Sequence, residues 1–320
     1  MRRIASILAL LAVLATPALA QERLRVVATT SDLRSLAKAV GQERVIVSNL
    51  VPAGKRVEEY QLRLTDVAIL KGAHVVLRAG AAIDPWFDPL LARATQKNGQ
   101  TGIERGEEGH IDASASVARN DPLSISAGFA PGPRGARGGP SPHYWLDPKS
   151  AEAITASILE TYVRLDPGNK DYYQSNRQAF LDRLNAKLSE WTARLMPLRD
   201  EPLVAFHDDW TYFATRFRLN IVDFMASRDR APPKRAKLRQ LATLIKERGI
   251  KLIIAEANQP ERHANRLARQ TGAKVVLLAG TVGELPNADD YIAMFDANVN
   301  ALVAASEKDG RSPADRPRQP

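Results

Sequence analysis

The chain has no cysteine among its 320 residues. That excludes disulfides, and it excludes a lipid attached through a Cys at a processed N-terminus. Long apolar runs are also missing. The one near the N-terminus is shorter than the roughly 20 residues that a bilayer span needs, and no other stretch comes close. No Gly-rich phosphate loop, GxSxG elbow or HExxH helix occurs, which removes the readiest signatures of nucleotide, serine-hydrolase or zinc-protease chemistry. The formal charge is +9, yet the basic residues gather in stretches with loop or tail character (Arg134 and Arg137; Arg228, Arg230, Lys234 and Arg235; Arg311, Arg316 and Arg318) and do not interleave with aromatics. A nucleic-acid surface is therefore not expected.

What the chain does have begins with an export signal. Arg2 and Arg3 precede an apolar run from Ile4 to Leu14, and Ala18-Leu19-Ala20 closes it. A basic start, a short apolar middle and an A-x-A end predict a secretory signal over 1–20, cut after Ala20. The mature chain is then expected to be free in a bacterial periplasm.

From residue 24 the pattern alternates. Apolar β-rich runs at 24–28, 44–51 and 74–78 are separated by helical periodicity, with Leu33, Leu36, Ala37 and Val40 forming the first apolar stripe. A second alternating half follows residue 201, with strands at 203–206, 220–224, 251–255 and 273–279. Such alternation predicts α/β lobes with mostly parallel sheets flanked by helices. Between the halves, Phe180, Leu184, Leu188, Trp191 and Leu195 make one continuous stripe. A helix over 171–196 would be about 40 Å long at 1.5 Å per residue, and it is expected to join the lobes. The expected division is an N-terminal lobe over 21–165 with a flexible loop at 117–142, a linking segment at 166–200, a C-terminal lobe over 201–306, and a disordered tail over 307–320. Asp147 is read as the cap and Pro148 as the first residue of a helix that runs to about Val163.

In parallel α/β sheets ligands bind beyond the carboxyl ends of the strands. His207 follows a strand end, Glu256 closes another, Glu58 lies in the loop after the second strand, and His143 leads from the first lobe toward the long helix. Two imidazoles with one or two carboxylates suit zinc or manganese. Each residue also has a plainer reading: a hydrogen-bonding histidine, a solvated charge cluster at Glu58-Glu59, a turn cap at Glu256. Asp208 and Asp209 are read as caps of the helix at Trp210. His74 is read as packed or edge-exposed, His110 as a loop residue and His263 as helical, and none of the three is assigned to a site.

Taken in order, Val26-Val27-Ala28-Thr29-Thr30-Ser31-Asp32-Leu33, Leu50-Val51-Pro52-Ala53-Gly54, Tyr60, Pro142-His143-Tyr144-Trp145-Leu146-Asp147-Pro148, Ala205-Phe206-His207-Asp208, Ala255-Glu256 and Thr271-Gly272-Ala273-Lys274-Val275-Val276 resemble the substrate-binding proteins of bacterial zinc and manganese ABC importers. The resemblance covers about 24–305. It implies two lobes on a rigid helix, one bound metal, an inner-membrane ABC permease as partner, a monomer, and no enzyme activity. It also implies His143 and His207 as ligands. The family pattern Asp-Pro-His before an aromatic is here Arg56-Val57-Glu58-Glu59-Tyr60, which puts Glu58 at the histidine position. The late Leu-Asp-Pro is here Leu278-Ala279-Gly280, with Ala279 at the Asp position, and the His-rich loop of zinc members is absent. Two outcomes stay open. In one, the site is rebuilt from Glu58, His143, His207 and Glu256 or an Asp, for zinc or manganese. In the other, the site is weakened and takes a different solute or a metal chelate. A periplasmic metalloenzyme is the remaining alternative.

Overall fold

The computed structural model describes residues 22–98, 102–120, 141–226, 231–258 and 262–307. The expected signal segment, nearly all of the loop at 117–142 and most of the tail lie outside the described residues. The first lobe runs β1 (Leu24–Ala28), α1 (Ser31–Gly41), β2 (Val45–Asn49), α2 (Leu64–Leu70), β3 (Val75–Arg78), α3 (Phe87–Asn98), β4 (His110–Asp112) and α4 (Ala113–Asn120). Then come α5 (Ser150–Leu165) and the long α6 (Lys170–Leu195). The second lobe runs β5 (Pro202–Ala205), α7 (Thr211–Phe217), β6 (Asn220–Phe224), α8 (Arg235–Arg248), β7 (Leu252–Glu256), α9 (Arg262–Thr271), β8 (Lys274–Leu278) and α10 (Tyr291–Glu307).

Each lobe holds a four-stranded sheet, in the orders β2-β1-β3-β4 and β6-β5-β7-β8, and every pairing is parallel. The central strands β3 and β7 are buried at every position, as expected when helices cover both faces of a parallel sheet. In both lobes the strand order reverses beside the first strand. Such a switch point opens a crevice at the carboxyl ends, where ligands bind. The loops that leave β1, β2, β5 and β7 start there.

The expected spine is present. α6 has 26 residues, about 39 Å at 1.5 Å per residue, and Phe180, Leu184, Trp191 and Leu195 of the stripe are buried. It packs on α1 and α5 on one side and on α10 on the other, so elements of both halves share its surface. The Trp191 ring lies 5.3 Å from that of Phe295, and its Nε1–H donates to Asp296 Oδ1 at 2.8 Å.

Two expectations need adjustment. His110 is not a loop residue: it opens β4, which pairs with β3, and its Nδ1 lies 3.0 Å from the Ile103 carbonyl. This three-residue strand and α4 carry too little periodicity to stand out in the sequence. Asp147 stands before α5, whose N-cap is Lys149 without a side-chain bond. Its carboxylate takes the Lys149 amide at 3.0 Å and both Nε and Nη2 of Arg216 at 2.7 Å.

Trp191 is fully buried at the junction of spine and second lobe. Trp191→Ala is expected to cost about 3–5 kcal/mol, measured by denaturant unfolding. A loss below about 1 kcal/mol, the scale of an ordinary surface change, would contradict the spine's role.

Candidate metal centre

The site is built near the carboxyl ends of the strands, with Glu58 after β2, His207 and Asp209 after β5, and Glu256 at the end of β7. After β5, the chain turns through a short 3-10 segment, Asp208–Trp210. This turn buries His207, Asp208 and Asp209 at 2%, 8% and 5% exposure. Glu256, the last residue of β7, is 2% exposed. His207 Nδ1 lies 3.0 Å from Glu256 Oε2, and Trp210 Nε1–H donates to Glu256 Oε1 at 3.0 Å. Burial alone would raise the Glu256 carboxyl, but the hydrogen bond and charge of His207 outweigh it and the group is held below its ordinary range. An ionised carboxylate only accepts, so the imidazole bonded to it carries its proton on Nδ1.

His143 is fixed from both lobes. Its neighbour Tyr144 donates to the Ala79 carbonyl at 2.6 Å. Trp145 donates to the Gly280 carbonyl at 3.0 Å, and Tyr291 donates to the Trp145 carbonyl at 2.6 Å. The His143 ring stands 5.1 Å from the Trp145 ring. With backbone and neighbours pinned, its imidazole meets Glu58 Oε1 at 3.0 Å through Nε2, and through Nδ1 it meets Ser141 Oγ at 3.1 Å and Asp209 Oδ1 at 3.4 Å. Burial would lower the His143 pKa, but Asp209 and Glu58 outweigh it and hold it above its usual value. Glu58 responds in kind. Burial pushes it up, yet the His143 bond and the charges of His143 and Arg56 bring it down to about 2. Asp209 is different: burial prevails over His143 and Arg56 and raises it to about 6.

His207, Asp209 and Glu256 each offer a ligand atom, and these atoms all lie within 4.8 Å of one another. Glu58, His143, Asp209 and Glu256 line one cavity of about 30 Å³, with Asp32 and Glu284 farther along its wall. The four residues singled out from sequence therefore converge. Asp209 and Arg56 were missed. The Asp208-Asp209 pair before a helix carries a capping signal, which hides Asp209 as a group of the cleft. Ala279 does not face the cavity. It is fully buried, and its amide and carbonyl are both held by Asn298, at 2.7 and 2.9 Å. The next residue, Gly280, does line the cavity. His74, His110 and His263 lie elsewhere, and His74 Nδ1 accepts from the Arg25 amide at 3.0 Å.

The lobes are close here. Asp32 at the start of α1 accepts from Thr281 Oγ1 at 2.6 Å and from the Val282 amide at 3.0 Å. Gly283 has φ +83°, and a Cβ there would stand 2.7 Å from the Ala53 side chain. Only glycine suits both the left-handed backbone and the approach.

Two parallel α/β lobes on one long helix, with a small cleft of imidazoles and carboxylates between them, define the metal-binding class of ABC substrate-binding proteins. Comparison with known proteins agrees. Residues 26–305 match the family described as "ZnuA: Zinc-uptake complex component A periplasmic", and the chain belongs to that family. It is 23% identical over 287 residues to a putative metal-binding protein of Treponema pallidum, covering 90% of this chain and 88% of the relative. It is 27% identical over 157 residues to the high-affinity zinc uptake system protein ZnuA of Brucella abortus, covering 49% of this chain and 47% of the relative. The fold superposes on a crystal structure of ZnuA with a TM-score of 0.69 at 21% identity, covering 88% of this chain and 99% of that one.

The ion pairs of the cleft fix a pH dependence for the metal-free protein. Glu58 is lowered from 4.5 to about 2, so its contribution is complete above 4.5 and is lost as the pH falls through about 2. His143 is raised above 6.5, so its share is complete below 6.5 and fades as the pH rises through the raised value. The stability difference between the native chain and Glu58→Gln is therefore expected to be widest between 4.5 and 6.5, read from thermal melts. A difference that stays flat from acid to alkaline pH would contradict the pairing.

Proposed function

We propose that this protein captures one divalent transition metal in the periplasm, zinc first and manganese second, and hands it to an ABC permease for import. The observation that carries the reading is the convergence of His207, Asp209 and Glu256 within 4.8 Å, with His143 brought in beside Asp209 at 3.4 Å. His143 and His207 supply nitrogen, and Asp209 and Glu58 supply oxygen. Such a mixed set suits zinc and also accepts manganese. Glu256 acts behind the metal. Its two oxygens hold His207 and Trp210, the carboxylate–histidine arrangement that orients a ligand and strengthens it.

Cavity size favours an ion over an organic solute or a chelate. About 30 Å³ holds one small occupant, whereas pockets for organic ligands run to about 300–1,000 Å³. The metalloenzyme reading needs an open coordination position beside a general base, and the carboxylates here are already engaged by His143, His207, Trp210 and Arg56. Capture, not turnover, is the chemistry this supports. The spine limits how far the lobes part, and docking on the permease opens them enough to release the ion. Export by the signal over 1–20 and a monomeric mature chain belong to the same reading.

Metal analysis of the mature protein, stripped with chelator and reloaded, is expected to give one zinc or manganese per chain. Replacing both His143 and His207 with Ala is expected to abolish loading. Unchanged stoichiometry in the double variant would overturn the site.

A further inference from the structure

Arg56 occupies the place where a cation belongs. It sits in the loop after β2, its side chain is 8% exposed, and its Nη2 lies 2.8 Å from Asp209 Oδ2 of the other lobe. The same Nη2 donates to Glu58 Oε1 at 3.1 Å. These are the two carboxylates that face His143, at 3.0 Å and 3.4 Å. One guanidinium thus bridges both oxygen donors of the cleft and ties the first lobe to the second. It is not fully satisfied there: its Nε makes no hydrogen bond. Glu59 Oε1 lies 3.7 Å from that Nε, and its side chain is 59% exposed. Glu59 stands toward solvent, so it gives a displaced guanidinium a partner at the rim.

We propose that Arg56 is an intramolecular stand-in for the metal: it clasps Glu58 and Asp209 across the metal-free cleft and must swing out before a metal binds. This rests on the capture reading and adds a threshold to it. Guanidinium and metal cannot share the same oxygens, so whatever the clasp contributes to the metal-free form is subtracted from metal affinity. A permanent cation beside the site also repels a second one, and both effects act in the same direction. The clasp lowers the apparent affinity for every cation by a common factor, so only intrinsically tight-binding ones still fill the site.

The test compares the native protein with Arg56→Gln and Arg56→Lys. Zinc affinity is read by competition with a chromogenic chelator, and thermal stability is read without metal. Arg56→Gln is expected to bind zinc roughly ten- to a hundred-fold more tightly, the usual range of such coupling, and to melt lower than the native chain when metal-free. Arg56→Lys keeps the charge without the planar fork and is expected to fall between the two. Equal or weaker zinc binding in Arg56→Gln would overturn the proposal. If neither the native chain nor Arg56→Gln takes up zinc, manganese or iron, while metal-free Arg56→Gln still melts lower, the capture reading falls and the inter-lobe clasp stands.

Discussion

A buried carboxylate needs a positive partner, and the cleft buries several at once. Asp209 and Glu256 are buried and Glu58 is half-buried, all near the carboxyl ends of different strands. Each is answered by an imidazole, an indole N–H or the Arg56 guanidinium. Removing one partner of a buried pair strands the other, which is far costlier than losing a surface contact. The loops, the spine and the contacts between lobes together hold these charges at pairing distance.

The scaffold serves that purpose through repetition. Both sheets reverse strand order at the same relative point, so two crevices open at carboxyl strand ends. The stretch from Ser141 to Pro148 runs between them and is bonded to both lobes through Tyr144, Trp145 and Asp147. His143 is thereby a fixed group at the boundary between the lobes. The Arg56–Asp209 and Asp32–Thr281 contacts cross that boundary, whereas the His207–Glu256–Trp210 unit belongs to one lobe alone.

Much of this was legible in the sequence. The apolar stripe from Phe180 to Leu195 gave a long helix whose length and buried face agree with α6. The alternating runs gave two parallel α/β lobes, and Glu58, His143, His207 and Glu256 do converge. What stayed hidden depends on distance along the chain. Arg56 and Asp209 are 153 residues apart, and nothing local to either marks the pairing. Local rules also misled where a tertiary partner took over. Asp147 looks like a cap, yet its carboxylate also pairs with Arg216. Asp209 looks like a cap, yet its carboxylate turns into the cleft. Ala279 looked like the vacant ligand position, yet it points into the core and Gly280 faces the cavity.

The proposed site brings two imidazoles, from different parts of the chain, to one metal. X-ray absorption spectroscopy of the zinc-loaded protein tests this most directly. Two imidazole ligands with oxygen donors completing the shell, and one imidazole lost in each of His143→Ala and His207→Ala, is the predicted result. A shell of oxygens with no imidazole scattering, or one unchanged by either substitution, would contradict it.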